Sequence, residues 1–286
     1  MKCYICGSES IFKKTILFNY PLYRCNNCTV EFFNPLELKD LISKIYNDSY
    51  YTPWGMNNED NFKLIKQMKQ ATFKLQVDTI RKYKQTGVVL DVGCAMGFFL
   101  ETAREYGFDP YGVELCEYSA NIAKKSLGNE KIYQGRLESC VFPLKYFDII
   151  TMTDFLEHVP DPCNSIIKAK ELLKDDGIIS VMLPNTGSFS KKVMGKTWPN
   201  YKLEHLFYFN KVSLCYLAET AGLKILEIKK SKKVLNFYYI NHQFVTYRHS
   251  IITPLISIFN LIIPAWLKHK NFALPFGEIS VIFSKK

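Results

Sequence analysis

One stretch constrains this 286-residue chain more than any other: Val88-Val89-Leu90-Asp91-Val92-Gly93-Cys94-Ala95-Met96-Gly97. An aliphatic run with no polar interruption before Asp91 suits a strand covered on both faces, as in a parallel sheet. It passes straight into a glycine-bearing turn that opens a helix, a junction where backbone can approach a ligand closely. Strand-like and helix-like segments then alternate: 88–92, a helix to Tyr106, 110–114, a helix to Ser126, 132–134, 147–153, a helix to Leu173, and 178–183. This alternation predicts a doubly wound α/β sheet. A helix over 212–221 ends at Gly222 and leads into a strand at 223–229, and a last strand covers 279–284. Ahead of the sheet, Phe62, Ile65, Phe73, Val77 and Ile80 recur at roughly helical spacing, predicting a helix over 61–83.

The division that follows is a small unit at 1–35, a linker with the helix leading inward at 36–86, and the main domain at 87–286, with an apolar insertion at about 234–276. Within that insertion, 251–267 is almost wholly apolar, yet it holds Pro254 and Pro264 and is short for a membrane span. A helical lid over a site and a peripheral membrane attachment are the readings left open.

The first unit contains Cys3-x2-Cys6 and Cys25-x2-Cys28, a strand at 30–33, and Asn34-Pro35 as a stop signal. Each pair sits on a tight turn that aims two thiolates at one point, and four sulfurs satisfy tetrahedral Zn2+. The ion would be structural, since every ligand position belongs to protein, and so small a unit needs the metal to hold its fold. The other cysteines, Cys94, Cys116, Cys140, Cys163 and Cys215, are scattered singly and read as small core residues in a reducing cytoplasm.

Hydrophobic residues at 48% and charged residues at 22% are those of a globular chain, which removes disorder and fibrous repeats from consideration. The net charge of +10 is spread along the chain, apart from a cluster at Lys229, Lys230, Lys232 and Lys233, and it reads as solvated faces rather than a nucleic-acid surface. No pattern specifies an oligomeric state.

An acid about twenty residues beyond a glycine loop, at the end of the next strand, can accept hydrogen bonds from both hydroxyls of a ribose. Glu114 occupies that place, with Leu115 beside it. Together with Asp91 at the end of the first strand, the loop resembles the Asp-x-Gly-x-Gly-x-Gly motif of the class I S-adenosylmethionine-dependent methyltransferases. The similarity extends over about 88–230, and Ala95 stands where the family has its middle glycine. The resemblance implies a Rossmann-like seven-stranded methyltransferase sheet with a reversed last strand, joined here to an N-terminal zinc ribbon. It implies S-adenosyl-L-methionine as cofactor, held by Asp91, Gly93, Ala95, Gly97, Glu114 and Leu115. The turn Gly135-Arg136-Leu137-Glu138 resembles the family's adenine-contacting turn, with Leu137 against the ring and Glu138 near the amine.

After the fourth strand, Asp154-Phe155-Leu156-Glu157-His158-Val159-Pro160-Asp161-Pro162 resembles a segment of the subgroup that includes the ubiquinone O-methyltransferases. That likeness places Asp154 near the cofactor and makes Asp154, Glu157 and His158 candidate ligands of a divalent metal; a helix start that orients the cofactor is the plainer reading. Further on, Tyr201-Lys202-Leu203-Glu204-His205-Leu206-Phe207-Tyr208-Phe209 resembles the Glu-His-x-x-Tyr-Phe segment of zinc-binding sugar C-methyltransferases, with Tyr201 one position out of register. Methyl transfer is an in-line displacement in which protein positions the acceptor and removes its proton. His205, Tyr201 and His158 are therefore the catalytic candidates, against capping or packing roles. Tyr46, Tyr50 and Tyr51 resemble tyrosines that lead into this subgroup's cofactor pocket.

The implied acceptor is a small molecule or glycan-related compound, methylated on oxygen. An RNA base methyltransferase is the alternative, supported by the ribbon and the charge and opposed by the absence of an Asn-Pro-Pro-Tyr type of segment after the fourth strand. A noncatalytic protein that binds cofactor or partner is a third, supported by Ala95.

Overall fold

The computed structural model describes residues 1–34, 59–246 and 252–286. Tyr46, Tyr50 and Tyr51 lie outside them. In chain order the elements are β1 (Ile11–Leu17), β2 (Tyr20–Cys25), β3 (Glu31–Phe32), α1 (Glu59–Ile80), β4 (Gly87–Val92), α2 (Phe98–Glu105), β5 (Phe108–Glu114), α3 (Glu117–Leu127), β6 (Ile132–Gln134), β7 (Phe147–Thr153), α4 (Pro162–Leu172), β8 (Leu173–Pro184), α5 (Phe189–Met194), β9 (Phe207–Tyr208), α6 (Lys211–Thr220), β10 (Leu223–Leu235), α7 (Phe237–Thr246), α8 (Ile252–Ile262), α9 (Ala265–Lys268) and β11 (Phe272–Lys285).

Seven strands form one sheet in the order β10-β11-β8-β7-β4-β5-β6. The pairs from β8 to β6 are parallel. Only β11 runs against the rest, antiparallel to both β8 and β10. The expected reversed last strand is therefore present. Side chains one position apart point to opposite faces: Leu90, Ile150 and Phe283 enter one apolar cluster, Val89, Ile149 and Ile282 the other. The second cluster is covered by α1 through Val77 and Ile80 and by α2 through Phe99 and Leu100.

The antiparallel arm is longer than its hydrophobic pattern indicates. Pairing continues past Lys230↔Ile279 to Leu235↔Phe272, across register shifts. Lysines stand in adjacent pairs along this part of β10, at Lys229-Lys230 and Lys232-Lys233, so it lacks the apolar signal of a buried strand, but cross-strand pairing with β11 carries it outward.

The cysteine-bearing unit is not self-contained. Its sheet has the order β1-β2-β3-β9, and β9 comes from the main domain, with Glu31↔Tyr208 and Phe32↔Phe207 in register. Phe33 N–H donates to the Leu206 carbonyl at 2.9 Å, and the Phe32 and Phe207 rings stack at 6.0 Å. The apolar cluster runs unbroken from Cys3, Leu22 and Phe32 into Leu90, Ile150 and Val181. A strand of two residues has no periodicity to read, which is why sequence alone separates the two units.

Candidate active site

Three residues in the turn after β4 take left-handed backbone: Gly93 (φ 77°), Ala95 (φ 48°) and Gly97 (φ 81°). Each has its own reason for being small. A Cβ on Gly93 would lie 2.9 Å from Phe155 Cδ2, and one on Gly97 would lie 3.2 Å from both Ala123 Cβ and Leu127 Cδ1 of α3. Gly97 thus lets α2 start against α3, and it is not among the cavity-lining residues. Ala95 does line the cavity and tolerates its φ at a cost of about 1 kcal/mol.

The turn is tied down from the neighbouring strand. Gly93 and Cys94 N–H groups donate to the Val113 carbonyl at 2.8 and 3.0 Å. Glu114 accepts from Ala95 N–H through Oε2 (2.9 Å) and from Cys116 N–H through Oε1 (2.8 Å). Burial raises the Glu114 carboxyl above its ordinary value, against the lowering by the Cys116 and Ala95 N–H groups. Asp91 is buried, its Oδ1 accepts from the Thr151 hydroxyl at 2.6 Å, and burial raises its carboxyl to about 7.

These groups open into a cavity of about 980 Å³ that Asp91, Gly93, Ala95, Glu114, Leu115, Leu137 and Glu138 line on one side. Leu137 is buried, and Glu138 Oε1 accepts from the Ser165 hydroxyl at 2.8 Å. The other side of the same cavity holds Asp154, His158, Lys202, His205, Lys233 and Glu278.

The second side is assembled by backbone exchange. Leu206 and Phe207 N–H groups both donate to the Glu157 carbonyl, at 2.7 and 3.1 Å. This draws the segment after β7 against the segment before β9, and the His158 and His205 rings meet edge to face with centroids 4.6 Å apart. One ligand-type atom each from Glu157, His158 and His205 fall within 4.8 Å of one another. Both Glu157 carboxylate oxygens and His205 Nδ1 are buried without hydrogen-bond partners. Burial holds His158 down at about 4, depresses His205 well below its ordinary value, and pushes Glu157 well above its own. Burial thus favours the neutral form of both imidazoles.

Asp154 is arranged differently from Glu157. It adopts φ 51°, and both its oxygens accept from Lys233 Nζ at 3.0 Å. Lys233 also pairs with buried Glu278 at 3.1 Å. Against the cost of burial, the Lys233 charge keeps Asp154 below its ordinary value, and the two carboxylates keep Lys233 above its own. Lys69, facing the same cavity from α1, is brought down to about 7 by burial. The pattern of residues did not single out Lys69 or Glu278, and it marked Lys233 only as a member of a dense lysine cluster; their grouping depends on β10 and β11 pairing beside β8.

Tyr201 turns away from the cavity. Its hydroxyl donates to Oε2 of buried Glu31 at 2.7 Å, and Glu31 is also paired with Lys14. It is not among the lining residues and serves the join to the cysteine-bearing unit. Asp161 caps α4, accepting from Asn164 N–H at 2.9 Å, with Pro162 in the first turn, so the helix-start reading of that segment describes its end.

The four thiols of Cys3, Cys6, Cys25 and Cys28 converge, with all four sulfurs within 4.8 Å. Cys3 and Cys28 are 3.5 Å apart and Cys6 and Cys25 3.6 Å. Sulfurs about 2.3 Å from a tetrahedral zinc stand about 3.8 Å from each other, so the cluster is compatible with that ion.

A family model described as a methyltransferase domain matches residues 59–228, more than half of the chain. The chain belongs to this family of class I S-adenosylmethionine-dependent methyltransferases and is a transferase of that class. Among similar proteins, the ubiquinone biosynthesis O-methyltransferase of Nitrosomonas europaea is 26% identical over 182 residues, covering 59% of this chain and 76% of the relative. Its counterpart in Coxiella burnetii is 29% identical over 151 residues, 49% of this chain and 64% of the relative. The match thus spans just under two thirds of that relative's length. A crystal structure of an S-adenosylmethionine-dependent methyltransferase from Thermotoga maritima superposes with a TM-score of 0.53 at 19% identity, covering 83% of this chain and all of that one. One from Archaeoglobus fulgidus gives 0.50 at 19% identity, over 76% and 94%. These two show the same fold.

Proposed function

We propose that this enzyme transfers the methyl group of S-adenosylmethionine to an oxygen of a small-molecule acceptor. The observation that carries the reading is one continuous cavity, with Asp91, Ala95 and Glu114 on one side and the His158–His205 pair on the other. The names of the similar O-methyltransferases support oxygen as the atom methylated. Asp91, Gly93, Ala95, Glu114, Leu115, Leu137, Glu138 and Asp154 then hold the cofactor, with Gly97 supporting the turn from behind. S-Adenosylmethionine supplies an electrophilic methyl on a sulfonium; the protein has to align the acceptor and take up its proton. Neutral His205 is our candidate for that proton, beside His158.

The cysteine cluster holds structural Zn2+ in this reading. A second reading comes from the orphaned Glu157 carboxylate: Glu157, His158 and His205 offer the donors of a divalent metal, which would polarise an acceptor hydroxyl and would replace His205 as the proton acceptor, whereas the Asp154 oxygens are already engaged by Lys233. We extend the reading to a glycan-related acceptor and to a peripheral membrane contact of the apolar insertion. Among the described residues no helix is long and apolar enough to cross a membrane.

Labelled methyl transfer to paired acceptors that differ only in a hydroxyl or an amine tests the reading. We expect label on the hydroxyl compounds and a fall of about 10²-fold or more in turnover for His205→Ala, with cofactor affinity kept. Transfer only to amines, or turnover unchanged in His205→Ala, would refute it.

A further inference from the structure

We propose that α8 and α9 dock on an anionic lipid surface. α8 turns Leu255, Ile258, Leu261 and Ile262 outward, all more than half exposed, and Trp266 of α9 continues the series at 70% exposure. Their spacing of three and four residues places them on one side of the helix. Globular proteins rarely leave such a contiguous apolar strip in water. The underside is accounted for: Phe237 of α7 meets Phe259 with ring centroids 5.3 Å apart, and the Thr253 hydroxyl donates to the Phe244 carbonyl at 2.9 Å.

Charge chooses the occupant. From Ile228 to Gly277 the chain contains no Asp or Glu, while Lys230, Lys232, Lys268 and Lys270 flank the apolar helices in sequence. An interface with another globular protein gives no reason for an acid-free stretch of that length. A bilayer carrying negative headgroups does, since basic side chains around a buried apolar strip add electrostatic attraction to insertion. An exposed Trp near the end of the strip suits the headgroup region. With 11 residues, α8 is about 16 Å long, half of a hydrocarbon core of about 30 Å, so it lies along the surface instead of crossing it. α7 lines the reaction cavity with Tyr239, Ile240, Gln243 and Phe244, so the docked face and the cavity belong to one helical hairpin.

This rests on the proposed peripheral contact of the insertion, not on the choice of acceptor. The test is co-sedimentation of the full chain with vesicles of phosphatidylcholine alone or mixed equally with phosphatidylglycerol, for wild type and Ile258→Ser/Ile262→Ser. Cofactor affinity is measured on the same samples. We expect binding to the mixed vesicles that is at least tenfold tighter than to phosphatidylcholine, weakened tenfold or more in the double variant and by high salt, with cofactor affinity unchanged. Equal binding to both vesicles would overturn the anionic preference while keeping the contact. No binding by cofactor-competent wild type, or a self-association that the double variant abolishes without any vesicle binding, would overturn the proposal outright.

Discussion

In the proposed cofactor site, the titration of Asp91 links binding to pH. In the free protein burial raises its carboxyl from 3.8 to about 7. Between those values the unfolded chain has lost the proton and the folded chain keeps it, so this group's contribution to stability declines as pH rises from about 4 to about 7. A sulfonium and an ammonium brought into the cavity favour the carboxylate, so cofactor binding near pH 6 expels close to one proton, and near pH 8.5 almost none. Calorimetry in buffers of different ionisation enthalpy reads this directly; equal proton release at both pH values would contradict it. Ala95 offers a simpler check. Its φ of 48° is one that glycine adopts freely, so Ala95→Gly should stabilise the fold by up to about 0.5 kcal/mol in urea unfolding, net of the greater freedom of glycine in the unfolded chain. Asp91, Ala95 and Glu114 were legible from the sequence because strand end, turn and next strand end are joined by short-range pairing of β4 with β5. The Asp154–Lys233–Glu278 group was not, because it joins three distant segments that only the sheet order brings side by side.

At the scale of elements, the cysteine-bearing unit is joined to the histidine-bearing side of the cavity. β9 follows His205 directly and completes that unit's sheet, while Glu31 receives the Tyr201 hydroxyl. The turn between β4 and α2 makes its hydrogen bonds to β5 instead. Removing the proposed zinc, or replacing Cys25 with Ser, should therefore depress methyl transfer by an order of magnitude or more while cofactor affinity stays within about threefold; parallel loss of both would show that the two units fail together. Tyr201→Phe leaves a buried Glu31 oxygen short of a donor and should cost about 1–3 kcal/mol in stability, read by urea unfolding. The paired Cys-x-x-Cys spacings made the thiol cluster legible, but β1, β2 and β9 escaped notice: β1 and β2 are only partly apolar, and β9 is two residues long.

In the whole molecule, one sheet delivers two sets of chemistry to the same cavity. The ends of β4 and β5 bring the acids and the cofactor turn, while the segments after β7 and before β9 bring the histidines. Alternating segments made the sheet legible from its sequence, down to the three-residue β6. The lengths of β10 and β11 were not, since lysines along β10 erase its apolar pattern while pairing with β11 supplies the order. Calorimetric titration of S-adenosylmethionine into wild type, Asp91→Ala and Glu114→Gln tests the central claim most directly. The account predicts one site per chain in wild type and a loss of tenfold or more in affinity in each variant, with the fold intact by circular dichroism. A folded wild type that takes up no cofactor, or variants that bind as tightly as wild type, would contradict it.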